Sequence, residues 1–431
     1  MPSPDQPAPP DQPTLPGRAA PPAAGDGSIP PPPRRLIPWM ALTTLIVQGS
    51  LGAMTTVILP NQLSLIDEPR KVANLALVTS VSFAVAMVAQ PVVGMLSDRT
   101  RSRIGRRAPW MLGGAALAAL TLAAIGHLNT LAGVAACWVG VQVSFNAMLA
   151  SASAIMPDRI PSRRRGTASA LIGFGYMVGA AAGVAIAGQL AADLPLAYSA
   201  FGLAVLAGIG GFVVFNRDPT RAQTTPPLRL RRILAQFWVS PRRHPDFAWA
   251  FAARFAFTIG YYAVFTYNLY IMTDYLGLTL AEANSRVGLL TGAMVIGAIA
   301  AMLAGGIASD RIGRRKPFLY AASVFMAGGL AAPLIWPTFA GMLALAALFG
   351  VGFGLYQTCD AALMTEVLPN AQAAGKDLGI LNLANAVPQA AAPALGGGLV
   401  LVSGGYTALF GAGIVIVALA AAVLWPIRSV R

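Results

Sequence analysis

The chain has 431 residues, of which 56% are hydrophobic and only 11% charged, and its mean hydropathy is +0.64. Soluble domains carry about a quarter of their residues as Asp, Glu, Lys or Arg, so this chain has too little charge to cover a water-facing surface. The net charge of +14 does not indicate nucleic acid, because the basic residues sit in short loops between apolar runs, where Lys and Arg orient helices during insertion.

The first predicted element is a disordered Pro-rich tail over 1–35, with Pro30 to Pro33 consecutive and too little apolar surface to offset the entropy of ordering. Arg34 and Arg35 then precede the first apolar run and point to a cytoplasmic N-terminus. Apolar runs follow at 36–60, 73–97, 109–128, 130–156, 167–190 and 196–216. A basic loop at 217–246 separates them from runs at 247–272, 284–308, 317–336, 338–365, 377–402 and 405–427, and 428–431 is a second tail. Each run suits a bilayer span of about 20 residues. The fold class is therefore an all-α membrane protein of twelve transmembrane helices: a six-helix bundle at 36–216, a second at 247–427, and both termini cytoplasmic.

The arginines test this topology. Loops assigned to the cytoplasm hold 26 of the 30 basic residues, leaving Arg70, Lys71 and Arg286 outside and Arg254 within a helix. That asymmetry is the positive-inside rule, and it places the protein as a multi-pass protein of the cell membrane. Cys137 and Cys359 lie in apolar stretches and offer no disulfide framework. His127 and His244 have no partner at metal-ligand spacing, so neither metal nor cofactor is expected.

A repeat links the halves. Gly94-Met-Leu-Ser-Asp98-Arg99 corresponds to Gly306-Ile-Ala-Ser-Asp310-Arg311 at an offset of 212. Each leads into a glycine and an arginine pair: Gly105, Arg106 and Arg107 in the first copy, Gly313, Arg314 and Arg315 in the second. A repeated loop at the same place in each half implies parallel six-helix repeats. This loop resembles motif A of the major facilitator superfamily, and the resemblance covers residues 36–427. The longer first copy, running from Ser97 to Trp110, is similar to the loop of sugar–cation symporters of the glycoside–pentoside–hexuronide and sucrose–proton branches.

The resemblance implies a major facilitator fold and a conformational latch. Gly94 and Gly306 would permit close helix packing. Asp98 and Asp310 would meet helix N-termini, those of helices eleven and five. Arg106 would pair with Asp158, and Arg314 with Glu366. Such contacts would hold the outward-open state and break as the halves rock; insertion topology alone is the plainer account of the arginines.

A charge within hydrocarbon is a functional candidate by default. Of sixteen acids only Asp360 falls inside a helix, and Arg254 is the only basic residue that does. Arg254, Thr258, Tyr261, Phe265 and Asn268 step by four, three, four and three along one face of helix seven. Phe353, Gln357 and Asp360 do the same in helix ten, so Arg254 and Asp360 can meet at one depth. Asp360 is either a proton-coupling acid governed by Arg254 or half of a static ion pair. The N-terminal half offers Gln48 and, one turn apart, Gln142 and Asn146, which suit hydroxyl-rich or amide ligands or else hydrogen-bond between helices.

Cation-coupled melibiose-type transporters carry acids in helix two, where this chain has only Gln90 among neutral residues. Gly175, Gly179 and Gly183 match drug–proton antiporters in part, or mark small-residue packing. Gly350, Gly352 and Gly354 lie mid-helix, which favours close packing over a nucleotide loop. The expected function is alternating-access transport of a small polar solute, with a sugar or glycoside as the candidate class, by proton-coupled symport, the protein acting as a monomer in the bilayer. The alternatives are a proton-coupled efflux antiporter and a non-transporting receptor or lipid flippase-like protein; no enzyme constellation is present.

Overall fold

The computed structural model describes residues 33–217, 245–366 and 374–427. Most of the expected tail at 1–35, nearly all of the central loop and the end at 428–431 lie outside the described residues. Among these residues twelve principal helices follow in chain order: α1 (Leu36–Ile66), α2 (Lys71–Arg99), α3 (Ala108–Ile125), α4 (Leu131–Ser153), α5 (Ser162–Leu190) and α6 (Leu194–Phe215). The second half contributes α7 (Pro245–Phe265), α8 (Leu280–Ile312), α9 (Lys316–Ile335), α10 (Phe339–Glu366), α11 (Ala374–Ser403) and α12 (Thr407–Val423). Among the described residues eleven are long and apolar enough to cross a membrane, and α12 is a shorter apolar helix.

Local chemistry sets the ends. The Thr130 hydroxyl accepts from the Gly133 N–H to start α4, Asp193 accepts from Leu196 N–H to start α6, and Thr279 with Glu282 forms a capping box at α8. Gly313 stops α8 in the left-handed region at φ 66°, and Gly105 turns the corresponding loop of the first half at φ 107°. Helix α1 runs six residues beyond the expected end at Pro60. A π segment at Met54–Ile58 re-registers the hydrogen bonds just before that proline, so its missing N–H does not end the helix.

Small residues set the packing, because lipid removes any hydrophobic drive between helices and close approach must supply the attraction. A Cβ added at Gly175, Gly179 or Gly183 of α5 would strike the backbone of α1 at Ala41, Leu45 or Gly49. Gly350 and Gly354 of α10 lie likewise against Met294 and Ala298 of α8, while Gly352 faces α9. Both glycine series are packing surfaces. The two halves meet along α2 with α11 and α5 with α8.

Candidate functional site

The arginine-rich loops share one end of the bundle, termed here the basic end. A cavity of about 730 Å³ reaches it, lined by Met40, Ser153 and Met156 at that end and by Gln48, Gln142, Asn146, Tyr262 and Gln389 further in. A second cavity of about 420 Å³ continues between the halves and shares Gln48, Phe83, Tyr176, Tyr262 and Gln389 with the first. Thr258, Tyr261 and Gln357 line the second cavity, as their helical spacing predicts.

Asn268 lines neither cavity. Helix α7 ends at Phe265, and the chain turns through Thr266 and Tyr267 before a short helical piece at Asn268–Tyr270, so the four-three spacing does not continue. Asn268 is buried instead.

Arg254 and Asp360 do come together. The Nε of Arg254 donates to Asp360 Oδ2 at 2.8 Å, and Nη2 donates to the same oxygen. Asp360 is 3% exposed, which makes the charge-assisted contact its compensation for lost water. Neither residue lines either of these two cavities; they sit one turn nearer the basic end than Thr258 and Gln357, which line the second.

In the first motif loop, Arg106 Nη2 meets Asp158 Oδ2 at 2.6 Å. Buried Arg107 does more than its place in the pattern suggested: it contacts Asp98 at 2.6 Å, Asp158 at 3.2 Å and the Ser97 hydroxyl at 2.6 Å. These groups tie α2, α3 and the end of α4 together within one half. In the second loop Arg315 donates to the Ser309 hydroxyl at 2.9 Å, the counterpart of Arg107 with Ser97. The expected partners Asp310 and Glu366 have side chains outside the described residues, so their contacts with a helix end and with Arg314 are not seen. Arg99, Arg311 and Arg314 are exposed.

Close packing at Gly94 is corrected: among the described residues a Cβ there would meet nothing within 4 Å. At Gly306 it would make ordinary contact with Thr358 at 3.4 Å. These glycines lie toward the basic end, where the cavity keeps the halves apart.

The opposite end is closed by contacts the pattern did not flag. Asn61 of α1 and Asn284 of α8 exchange amide hydrogen bonds of 2.8 and 2.9 Å across the halves, both buried. Lys71, at the start of α2, lies 2.6 Å from Glu68 and 2.6 Å from Asp274 of the other half. Tyr406 donates to Asp274 at 2.9 Å, and Tyr270 donates to the Pro60 carbonyl at 2.9 Å. Burial, reinforced by neighbouring Asp274, pushes the Tyr406 hydroxyl well above its ordinary pKa, so it stays a donor. The available signal was Lys71 itself, one of few basic residues to violate the charge asymmetry.

A cavity between two six-helix halves, reaching one end and sealed at the other, defines a polytopic carrier. The sequence profile of the Major Facilitator Superfamily matches residues 39–285 and 267–431. The chain belongs to that superfamily: it is a secondary transporter of a small-molecule substrate, not an enzyme. Its fold is similar to a bacterial homolog of the human lysosomal transporter Spinster in an inward-facing, unoccupied conformation, with a TM-score of 0.70, 14% identity and coverage of 91% of this chain and 97% of that one. It is also similar to a mutant of the nucleoside transporter NupG, with a TM-score of 0.74, 11% identity and coverage of 91% and 99%. An uncharacterized symporter of Synechocystis sp., sll1374, is 79% identical over 24 residues, 6% of this chain and 4% of that one.

Proposed function

We propose that the chain is a proton-coupled symporter importing a small polar solute, a sugar or glycoside in class, with its basic end in the cytoplasm and both termini there. The observation that carries this is the ion pair of Arg254 with Asp360 between α7 and α10, one turn from the cavity wall. Protonating Asp360 frees Arg254, loosening α7 from α10 beside the site, so proton uptake and helix movement share one group. The likeness of the Ser97–Trp110 loop to the sugar–cation symporters supports the solute class, and the short match to an uncharacterized symporter agrees with the mode. With the basic end cytoplasmic, the structure is the inward-facing member of the cycle. The loop around Asp98, Arg106, Arg107 and Asp158 is then a brace within the first half that persists in this state.

The test is purified protein in liposomes under an imposed inward proton gradient, with labelled solutes and an external pH indicator. Sugar-dependent alkalinisation outside and sugar accumulation inside support symport. Dye extrusion without any sugar response favours the second reading, an efflux antiporter, for which the Met40, Met87, Met111 and Met156 lining of the larger cavity is the favouring observation.

A further inference from the structure

The described walls of the joined cavities carry amides, hydroxyls and rings. Among the described residues not one Asp, Glu, Lys, Arg or His lines either of them. Arg254 and Asp360, one turn from Thr258 and Gln357 on the wall, pair with each other outside the described lining. Eight of the 26 residues around the inner cavity are aromatic, against 8% aromatic in the whole chain, so the enrichment is local. The rings gather on the second half: Tyr261 lies near-parallel to Phe265 at 4.9 Å and to Phe353 at 5.4 Å. The first half contributes amides: Gln48 lines both cavities, and Gln142 and Asn146 line the larger one that joins the inner cavity. Gln142 is 1% exposed and its Nε2 has no hydrogen-bond partner, and Gln48 and Asn146 stand beside it on the cavity wall.

We propose that this site takes an uncharged solute with a flat apolar face toward Tyr261 and Phe353 and a hydrogen-bonding edge toward Gln48, Gln142 and Asn146. The assignment rests on the transport reading only in naming this cavity as the solute's path. While Arg254 and Asp360 remain paired, a charged solute would shed water and find no counter-charge in the described lining, and amide dipoles offset only part of that loss. The penalty amounts to about a hundredfold or more in affinity. The flat face is selected because ring stacking rewards planar apolar surface beyond its area. A buried Gln142 donor without a partner supplies the polar half, since an orphaned amide gains most from a ligand acceptor.

The experiment measures equilibrium binding to the full-length protein in lipid nanodiscs with four probes. They are methylumbelliferyl β-glucoside, its β-glucuronide, the amino-sugar glycoside of the same fluorophore, and methyl β-glucoside. The neutral fluorophore glycoside is expected to bind, with the anion and the cation weaker by about a hundredfold and methyl β-glucoside also weaker. A charged probe binding within about tenfold of the neutral one overturns the assignment, as does binding by none of the four. Gln357→Arg places a cation on the exposed wall beside Thr258 and should admit the glucuronide; continued exclusion there shows that the missing charge is not what selects. Thermal unfolding confirms that each variant is folded. Neutral binding without uptake into liposomes would refute the transport reading and leave the site standing.

Discussion

Replacing Lys71 by Met removes one cation and keeps most of the side chain's apolar stem, at the point where the two halves close. The Lys71 side chain is 9% exposed, against 32% for Asp274 and 63% for Glu68. The Glu68 contact is solvated and contributes about 0–1 kcal/mol. The Asp274 contact is different: its cation is buried, and losing it strands a carboxylate that keeps only the Tyr406 bond of 2.9 Å and the Thr273 bond of 2.8 Å. Breaking a fully buried pair costs about 3–5 kcal/mol, and a carboxylate one-third exposed recovers part of that in water. A net loss of about 1–3 kcal/mol from the closed end opposite the basic end follows, a shift of roughly 5- to 150-fold toward opening. The assay places a single cysteine at Thr56, on the inner cavity wall toward the closed end, in a background lacking Cys137 and Cys359. A membrane-impermeant thiol reagent applied from that side should label the Lys71→Met variant faster by that factor. Unchanged labelling of a folded variant would refute the role of Lys71 as a lock.

Asp360→Asn should abolish pH-driven accumulation while leaving solute exchange; unchanged accumulation would leave Asp360 as a static partner of Arg254. Gly183→Ala puts a methyl onto the Gly49 carbonyl and should cost about 1–3 kcal/mol in thermal unfolding, whereas Gly173→Ala, with nothing within 4 Å, should cost nothing. A double-mutant cycle of Asn61→Ala and Asn284→Ala should give a coupling of about 0.6–1.7 kcal/mol, read from the labelling rate at the closed end; additivity would show that the amide pair does not hold the halves.

The helices were legible because their signal is local: twenty apolar residues and an arginine-rich loop need no tertiary information. Spacing also placed Thr258, Tyr261 and Gln357 on the cavity and brought Arg254 to Asp360, since a straight helix transmits register over two or three turns. It failed at Asn268, where α7 breaks after Phe265, and at Pro60, where the π segment carries α1 onward. The closing contacts were hidden for another reason. Asn61 with Asn284, and Lys71 with Asp274, are 223 and 203 residues apart, and nothing in either segment specifies its partner. Charge counting treated Lys71 as a loop residue, yet it is 7% exposed, and a cation that breaks an orienting rule is better regarded as a contact in search of its acid. Arg107 was underread for a similar reason, as pattern alone cannot tell which of two adjacent arginines turns inward.

The central claim is that two rigid halves rock about the cavity, so that one end opens as the other closes. Spin labels on Arg103 and Ile312 report the basic end, and labels on exposed Leu65 and Trp336 report the opposite end. Distance distributions from pulsed dipolar spectroscopy in nanodiscs test the claim directly, with and without Lys71→Met. The account predicts that the variant lengthens the Leu65–Trp336 distance and shortens the Arg103–Ile312 distance together. Distances that stay fixed, or that move in the same direction at both ends, would contradict it.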